Sequence, residues 1–153
     1  MSSNIEIENV SAIDSVPSEE LIIKWANLAL DNKHKDAEIC LRIVDLDEGQ
    51  YLNKEWRNKE SATNVLSFPV GETIEHAPNL LGDIVICAPI VEEEAHQQNK
   101  ETDAHWAHLV IHGILHLQGY DHVAEKDAAK MEKKEIQILQ EIGYSNPYEV
   151  SSK

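Results

Sequence analysis

The stretch Trp106-Ala107-His108-Leu109-Val110-Ile111-His112-Gly113-Ile114-Leu115-His116-Leu117-Gln118-Gly119-Tyr120-Asp121-His122 decides where the centre of the fold lies and where its chemistry is to be sought. From residue 106 to 117 apolar side chains fall on nearly every side of a helical wheel, which predicts a helix buried in the middle of the molecule rather than one lying on its surface. His112 and His116 are four residues apart, so on a helix their rings stand one turn apart on one face, close enough to grip one ion. A third ligand must approach from another direction to reach a tetrahedral corner. Gly119, as a left-handed residue past the helix end, lets residues 120–122 fold back and offers His122 as that ligand. Three neutral nitrogens with no fourth protein ligand nearby are the pattern of a catalytic zinc site; structural sites are usually closed by cysteines.

The first spacing resembles the His-Glu-x-x-His zinc proteases, but Gly113 stands where their general-base glutamate would be. Glycine carries no proton, and in a helix it costs about 1 kcal/mol relative to alanine. Close approach of another part of the chain is the expected compensation. Two alternatives stand beside the 112/116/122 set. His105, His108, His112 and His116 all fall on one helical stripe, and the plainer readings set against the metal are a hydrogen-bonded face without an ion, or a site built from another pair of these rings.

Outward from this helix, 153 residues suffice for one core and leave little for a second, so residues 1–153 are expected to form a single domain. With 42% hydrophobic and 27% charged residues the composition is that of an ordinary soluble domain. No apolar run approaches the length of a membrane span, and the N-terminus shows no basic start followed by an apolar stretch, so a cytoplasmic location is expected. Cys40 and Cys87 form no Cys-x-x-Cys pair and lie in apolar, strand-like sequence, which predicts buried free thiols. Acids outnumber bases 28 to 13, giving a net charge of -15. That excludes a broad basic nucleic-acid surface, so a polyanionic substrate would have to be met by a local patch, by the metal, or with a basic partner's help.

Taken in order, residues 4–10 alternate apolar and polar and predict a strand. Ser18, followed by Glu19 and Glu20, predicts the N-cap of a helix running to about residue 30. A second strand is expected over 37–44, then a short helix opened by Asp45 and ending near Arg57. Residues 65–68 predict a strand stopped by Pro69, which suits an edge. The continuously apolar run 80–87 predicts a strand buried on both faces. Pro89 opens a helix to about residue 100, and Thr102 and Asp103 are expected to cap the central helix. Ala128, Met131, Glu135, Ile138, Leu139 and Ile142 mark one face of a last helix, with Gly143 and Pro147 as its stop signals. The fold class expected is α+β, one small, mostly four-stranded sheet covered by about five helices around the buried metal-binding helix.

A second constellation lies in Asn53-Lys54-Glu55-Trp56-Arg57-Asn58-Lys59, where three cations crowd into an otherwise acidic chain. Lys54, Arg57 and Lys59 suit a local phosphate-binding patch, Arg57 above all, because its planar fork makes paired charge-assisted hydrogen bonds. The plainer reading is a solvated helix end whose cations meet the helix dipole. The segment 53–69, Leu81-Gly82-Asp83-Ile84, and the run His-Gly-x-Leu-His-Leu-x-Gly-Tyr-Asp-His at 112–122 together resemble the YbeY family of bacterial endoribonucleases, the rRNA maturation factors, over nearly the whole chain. The resemblance implies one zinc ion on His112, His116 and His122, with Arg57 and His112 in the catalytic machinery. It implies hydrolysis of single-stranded RNA in the cytoplasm, 16S rRNA 3′-end maturation and ribosome quality control, with the small ribosomal subunit, ribosomal protein and a ribosome-associated GTPase as partners. Two rivals remain: a zinc peptidase, against which the missing glutamate at 113 counts, and a non-enzymatic assembly factor whose acidic surface attracts basic ribosomal proteins. Asp121 and His108 are candidates to orient the ligand rings.

Overall fold

The computed structural model describes residues 4–31, 34–57, 64–69, 79–120 and 125–148. Among these residues four strands and five helices follow in the order β1 (Asn4–Asn9), α1 (Glu19–Ala29), β2 (Glu38–Val44), α2 (Leu46–Arg57), β3 (Val65–Pro69), β4 (Leu80–Cys87), α3 (Ala88–Gln97), α4 (Thr102–Leu117) and α5 (Glu125–Glu141). The fold is α+β, as the sequence leads one to expect.

The sheet order is β1-β2-β4-β3. β1 and β4 both run parallel to β2, with Leu41 opposite Ile84 and Ile43 opposite Ile86, and β3 pairs antiparallel with β4 at the edge. Pro69 ends that edge strand, where a missing N–H costs no ladder bond. Alternation along β4 sorts its residues between two cores. Ile84 and Ile86 join Leu41, Ile43 and the apolar faces of α1, α4 and α5. Val85 and Cys87 face the other way, with Val44 and Leu66, against Leu52 of α2 and Ile90 of α3. Expected burial on both faces thus holds for residues 84–87, whereas Asp83 is exposed. Cys40 is half-buried and Cys87 buried, both free thiols.

Ser18 caps α1 as expected, its hydroxyl accepting from Leu21 N at 3.2 Å. Asp45 does more than open α2: its carboxylate accepts from Ser11 Oγ and Ala12 N and ties the loop after β1 to the end of β2. Those two hydrogen bonds hold its pKa below the ordinary carboxylate value. Pro89 lies in the first turn of α3, which ends at Gln97, short of the expected residue 100. The cap of α4 also differs from expectation. Glu101 is the N-cap, Thr102 is the first helical residue, and Asp103 is the acid of the first turn.

Helix α4 packs against α1, α3, α5, β3 and β4. Trp106, Ala107, Val110, Ile111, Ile114 and Leu115 are all 0% exposed. Burying each of the larger side chains contributes about 1.5–3 kcal/mol, so the roughly 1 kcal/mol propensity cost of Gly113 is small beside the packing that holds the helix in place. Gly113 faces the sheet: a Cβ there would lie 3.1 Å from Ile84 Cδ1 and 3.5 Å from Ser67 Oγ. The close approach expected at this position therefore exists, and it comes from side chains of β4 and β3.

Candidate metal centre

The 3.6-residue repeat of α4 sets His105, His108, His112 and His116 in a row along one side of the helix. Ring centroids are 6.4 Å apart for His105 and His108, 6.2 Å for His108 and His112, and 5.0 Å for His112 and His116. The tightest pair is thus the one whose spacing suggested a metal grip. His112 and His116 are partly buried, unlike their apolar neighbours in the same helix. Imidazole nitrogens placed this way suit zinc, which accepts neutral nitrogen ligands readily.

The turn behind the pair has the geometry the sequence predicts. Gly119 has φ +100°. Its N–H donates to His116 O at 3.0 Å, and Tyr120 N–H donates to Leu115 O at 3.1 Å, the two bonds of a Schellman motif. This reverses the chain directly after the histidine pair. Asp121 and His122 lie outside the described residues, and so do Lys59 and the side chain of Arg57, whose backbone closes α2. Lys54, one turn before Arg57, is exposed.

One functional group was not singled out by spacing. Glu135 of α5 is 0% exposed, and three donors converge on its carboxylate. His112 Nδ1 donates to Oε2 at 2.6 Å, His108 Nε2 donates to Oε1 at 2.8 Å, and the Tyr148 hydroxyl also donates to Oε1. Burial alone would push this carboxyl's pKa up; the bonds from His108 and His112 outweigh it and pull it down to about 2. Burial first, and then the bond to Glu135, push the Tyr148 phenol well above its ordinary value. Among the described residues, His108, His112 and Glu135 form a group whose ligand atoms all lie within 4.8 Å of one another and which could hold a metal ion. His108, expected to orient a ligand ring, thus reaches the same carboxylate as His112. The available signal for Glu135 was its place on the apolar stripe of α5, between Met131 and Ile138: an acid in such a stripe needs partners to be tolerated.

At the other end of the row, Glu94 Oε1 accepts from His105 Nε2 at 2.9 Å and from Asn64 Nδ2 at 3.0 Å. This joins the residue before β3, α3 and α4 through one carboxylate. A cavity of about 510 Å³ opens between residues 98–101 and 143–147, with His108 in its wall.

Comparison with known proteins agrees with this architecture. The family model described as endoribonuclease YbeY matches residues 4–143. The endoribonuclease YbeY of Cellvibrio japonicus (strain Ueda107) is 52% identical over 149 residues, covering 97% of this chain and 84% of that protein. The solution structure of TM1509 from Thermotoga maritima superposes with a TM-score of 0.56 at 26% identity, covering 94% of this chain and 99% of that one. With the match extending from the first strand to the turn that ends α5, this chain belongs to the YbeY family.

Proposed function

We infer that this protein is a zinc-dependent endoribonuclease specific for single-stranded RNA, acting in 16S rRNA 3′-end maturation and ribosome quality control in the cytoplasm. Membership of the YbeY family makes it an RNA-cleaving hydrolase. The observation that carries the metal-dependent reading is the His112–His116 pair, 5.0 Å between ring centroids, placed directly before the Gly119 reversal.

In this reading His112, His116 and His122 hold the ion. Bound zinc supplies a lowered pKa for water and positive charge beside a phosphoryl oxygen. Arg57 clamps the scissile phosphate through its planar fork. No glutamate base can act from position 113, because Ile84 and Ser67 already fill the space beyond its Cα. Arg57 and the bound cation provide local positive charge in a chain of net charge -15, and that acidity suits basic ribosomal proteins of the small subunit as partners, with a ribosome-associated GTPase among the further partners. No helix among the described residues is long and apolar enough to cross a membrane.

The test is cleavage of single-stranded RNA and of an unfolded polypeptide by purified protein, each with zinc and with a chelator. RNA cleavage that disappears on chelation and returns with zinc is expected. Cleavage of polypeptide with intact RNA would establish a peptidase instead. If neither is cut while ribosomal protein is bound, the assembly-factor role stands alone.

A further inference from the structure

We propose that Glu135, braced by Tyr148, is a positioning residue for His112: its carboxylate holds the imidazole as the Nδ1–H tautomer, leaving Nε2 as the nitrogen that binds the metal. The proposal rests on the reading of His112 as a metal ligand and adds a residue from a different helix to it.

An ionised carboxylate can only accept hydrogen bonds. The 2.6 Å contact between His112 Nδ1 and Glu135 Oε2 therefore requires the proton to be on Nδ1. In a neutral ring that places the lone pair on Nε2. A buried carboxylate without partners is strongly destabilising, and here each oxygen is engaged from a fixed direction. His108 Nε2 and the Tyr148 hydroxyl both donate to Oε1, so the group cannot rotate without losing two bonds. Tyr148 also sets its ring edge-on to His108, with centroids 5.3 Å apart. Tyr148, beyond the end of α5, thereby joins the network from a third direction.

The alternative is that Glu135 and His108 are themselves ligands alongside His112. Two ligands at tetrahedral corners, each about 2.0–2.1 Å from zinc, stand roughly 3.3 Å apart. The observed separations of 2.6 and 2.8 Å are those of charge-assisted hydrogen bonds. The tyrosine hydroxyl on Oε1 competes for the same lone pairs. Hydrogen bonding, with the ion on the far nitrogen of His112, is the arrangement these distances favour.

Glu135→Gln, Tyr148→Phe and His108→Ala test the proposal through zinc affinity, measured by competition with a chromophoric chelator. The His112 ring nitrogen shifts and the thermal midpoint are recorded on zinc-free protein at one pH. In Glu135→Gln zinc still binds one per chain but about 10- to 100-fold more weakly, and the His112 shifts move from the pure Nδ1–H pattern towards a mixture. Tyr148→Phe gives a smaller loss in the same direction with an unchanged zinc-free midpoint, which a merely structural role would not produce. Wild-type affinity and an unchanged tautomer in Glu135→Gln overturn the proposal. Loss of stoichiometric zinc binding in both Glu135→Gln and His108→Ala overturns it in favour of direct ligation. Should Glu135→Gln not fold, Tyr148→Phe decides, and undiminished affinity with an unmoved His112 tautomer is the overturning result. A wild-type protein that takes up no zinc removes the metal reading and this proposal together, whereas zinc uptake with a failed Glu135→Gln effect removes this proposal alone.

Discussion

His105 donates from Nε2 to Glu94 Oε1 at 2.9 Å, while Nδ1 of the same ring is buried with no hydrogen-bond partner among the described residues. Protonating that second nitrogen would place an N–H where no described residue accepts it, in a residue only 4% exposed. Burial accordingly lowers the His105 pKa from its ordinary 6.5; Glu94 pulls the other way, and Lys100 and His108 add to the lowering. Well above pH 6.5 both folded and unfolded chains are neutral here. As pH falls through that value the unfolded chain takes up a proton that the fold resists, so stability declines until the lower folded pKa is passed. Urea denaturation of wild type and His105→Gln at about pH 5 and about pH 7.5 should show a shallower pH dependence in the variant. Parallel curves would mean His105 titrates alike in both states.

Gly113 is a tight spot as well as a missing base. Alanine there gains about 1 kcal/mol of helix propensity, but its Cβ would sit 3.1 and 3.3 Å from two carbons of Ile84. Ile84 is 0% exposed and cannot retreat, and overpacking of this kind costs about 1–3 kcal/mol. Gly113→Ala is therefore expected to lose about 1 kcal/mol net, a fall of about 2–4 °C in Tm for a chain of this size. Gly113→Glu should fail to fold, or fold without peptidase activity. A Gly113→Ala protein more stable than wild type would show that the sheet yields.

How much of this was legible follows the range of the signals. The all-round apolar character of residues 106–117 placed α4 at the centre, and Gly119 placed the reversal, because both are local patterns. The pairing of β3 antiparallel to β4, inside an otherwise parallel sheet, was not legible: alternation marks a strand without naming its neighbour. Glu135 shows the same limit. Periodicity put it on the buried face of α5, but its partners His108 and His112 lie 27 and 23 residues away, a distance over which helical spacing says nothing. The cap of α4 was misplaced by one residue because Thr102 offers a better capping side chain than Glu101, while packing fixes where this helix starts.

Metal removal should separate a catalytic ion from a structural one. Helix α4 is held by apolar burial on every side but its histidine row and its end by backbone hydrogen bonds, neither of which needs an ion. A chelator is therefore expected to leave the far-UV circular dichroism of the helices unchanged and to lower Tm only by the linkage contribution. That contribution is about 2.7 kcal/mol when free zinc stands about 100-fold above its Kd. Loss of helical signal on chelation would show instead that the ion staples the fold.

Arg57 closes α2 in the middle of the cation-rich segment, and its role rests on the chemistry of its side chain. A guanidinium clamped on a phosphate stabilises charge that grows during cleavage, and losing one such donor costs about 3–4 kcal/mol, or about 10²- to 10³-fold in rate. Arg57→Ala should therefore lose that much RNA turnover with its zinc content intact, because arginine is not among the proposed ligands. Arg57→Lys should recover little of the loss, since a single ammonium cannot reproduce the paired hydrogen bonds. Elemental analysis beside initial rates on single-stranded RNA measures both quantities. If turnover were undiminished in Arg57→Ala, the phosphate would have to be held by another cation of the segment, with exposed Lys54 the first to replace.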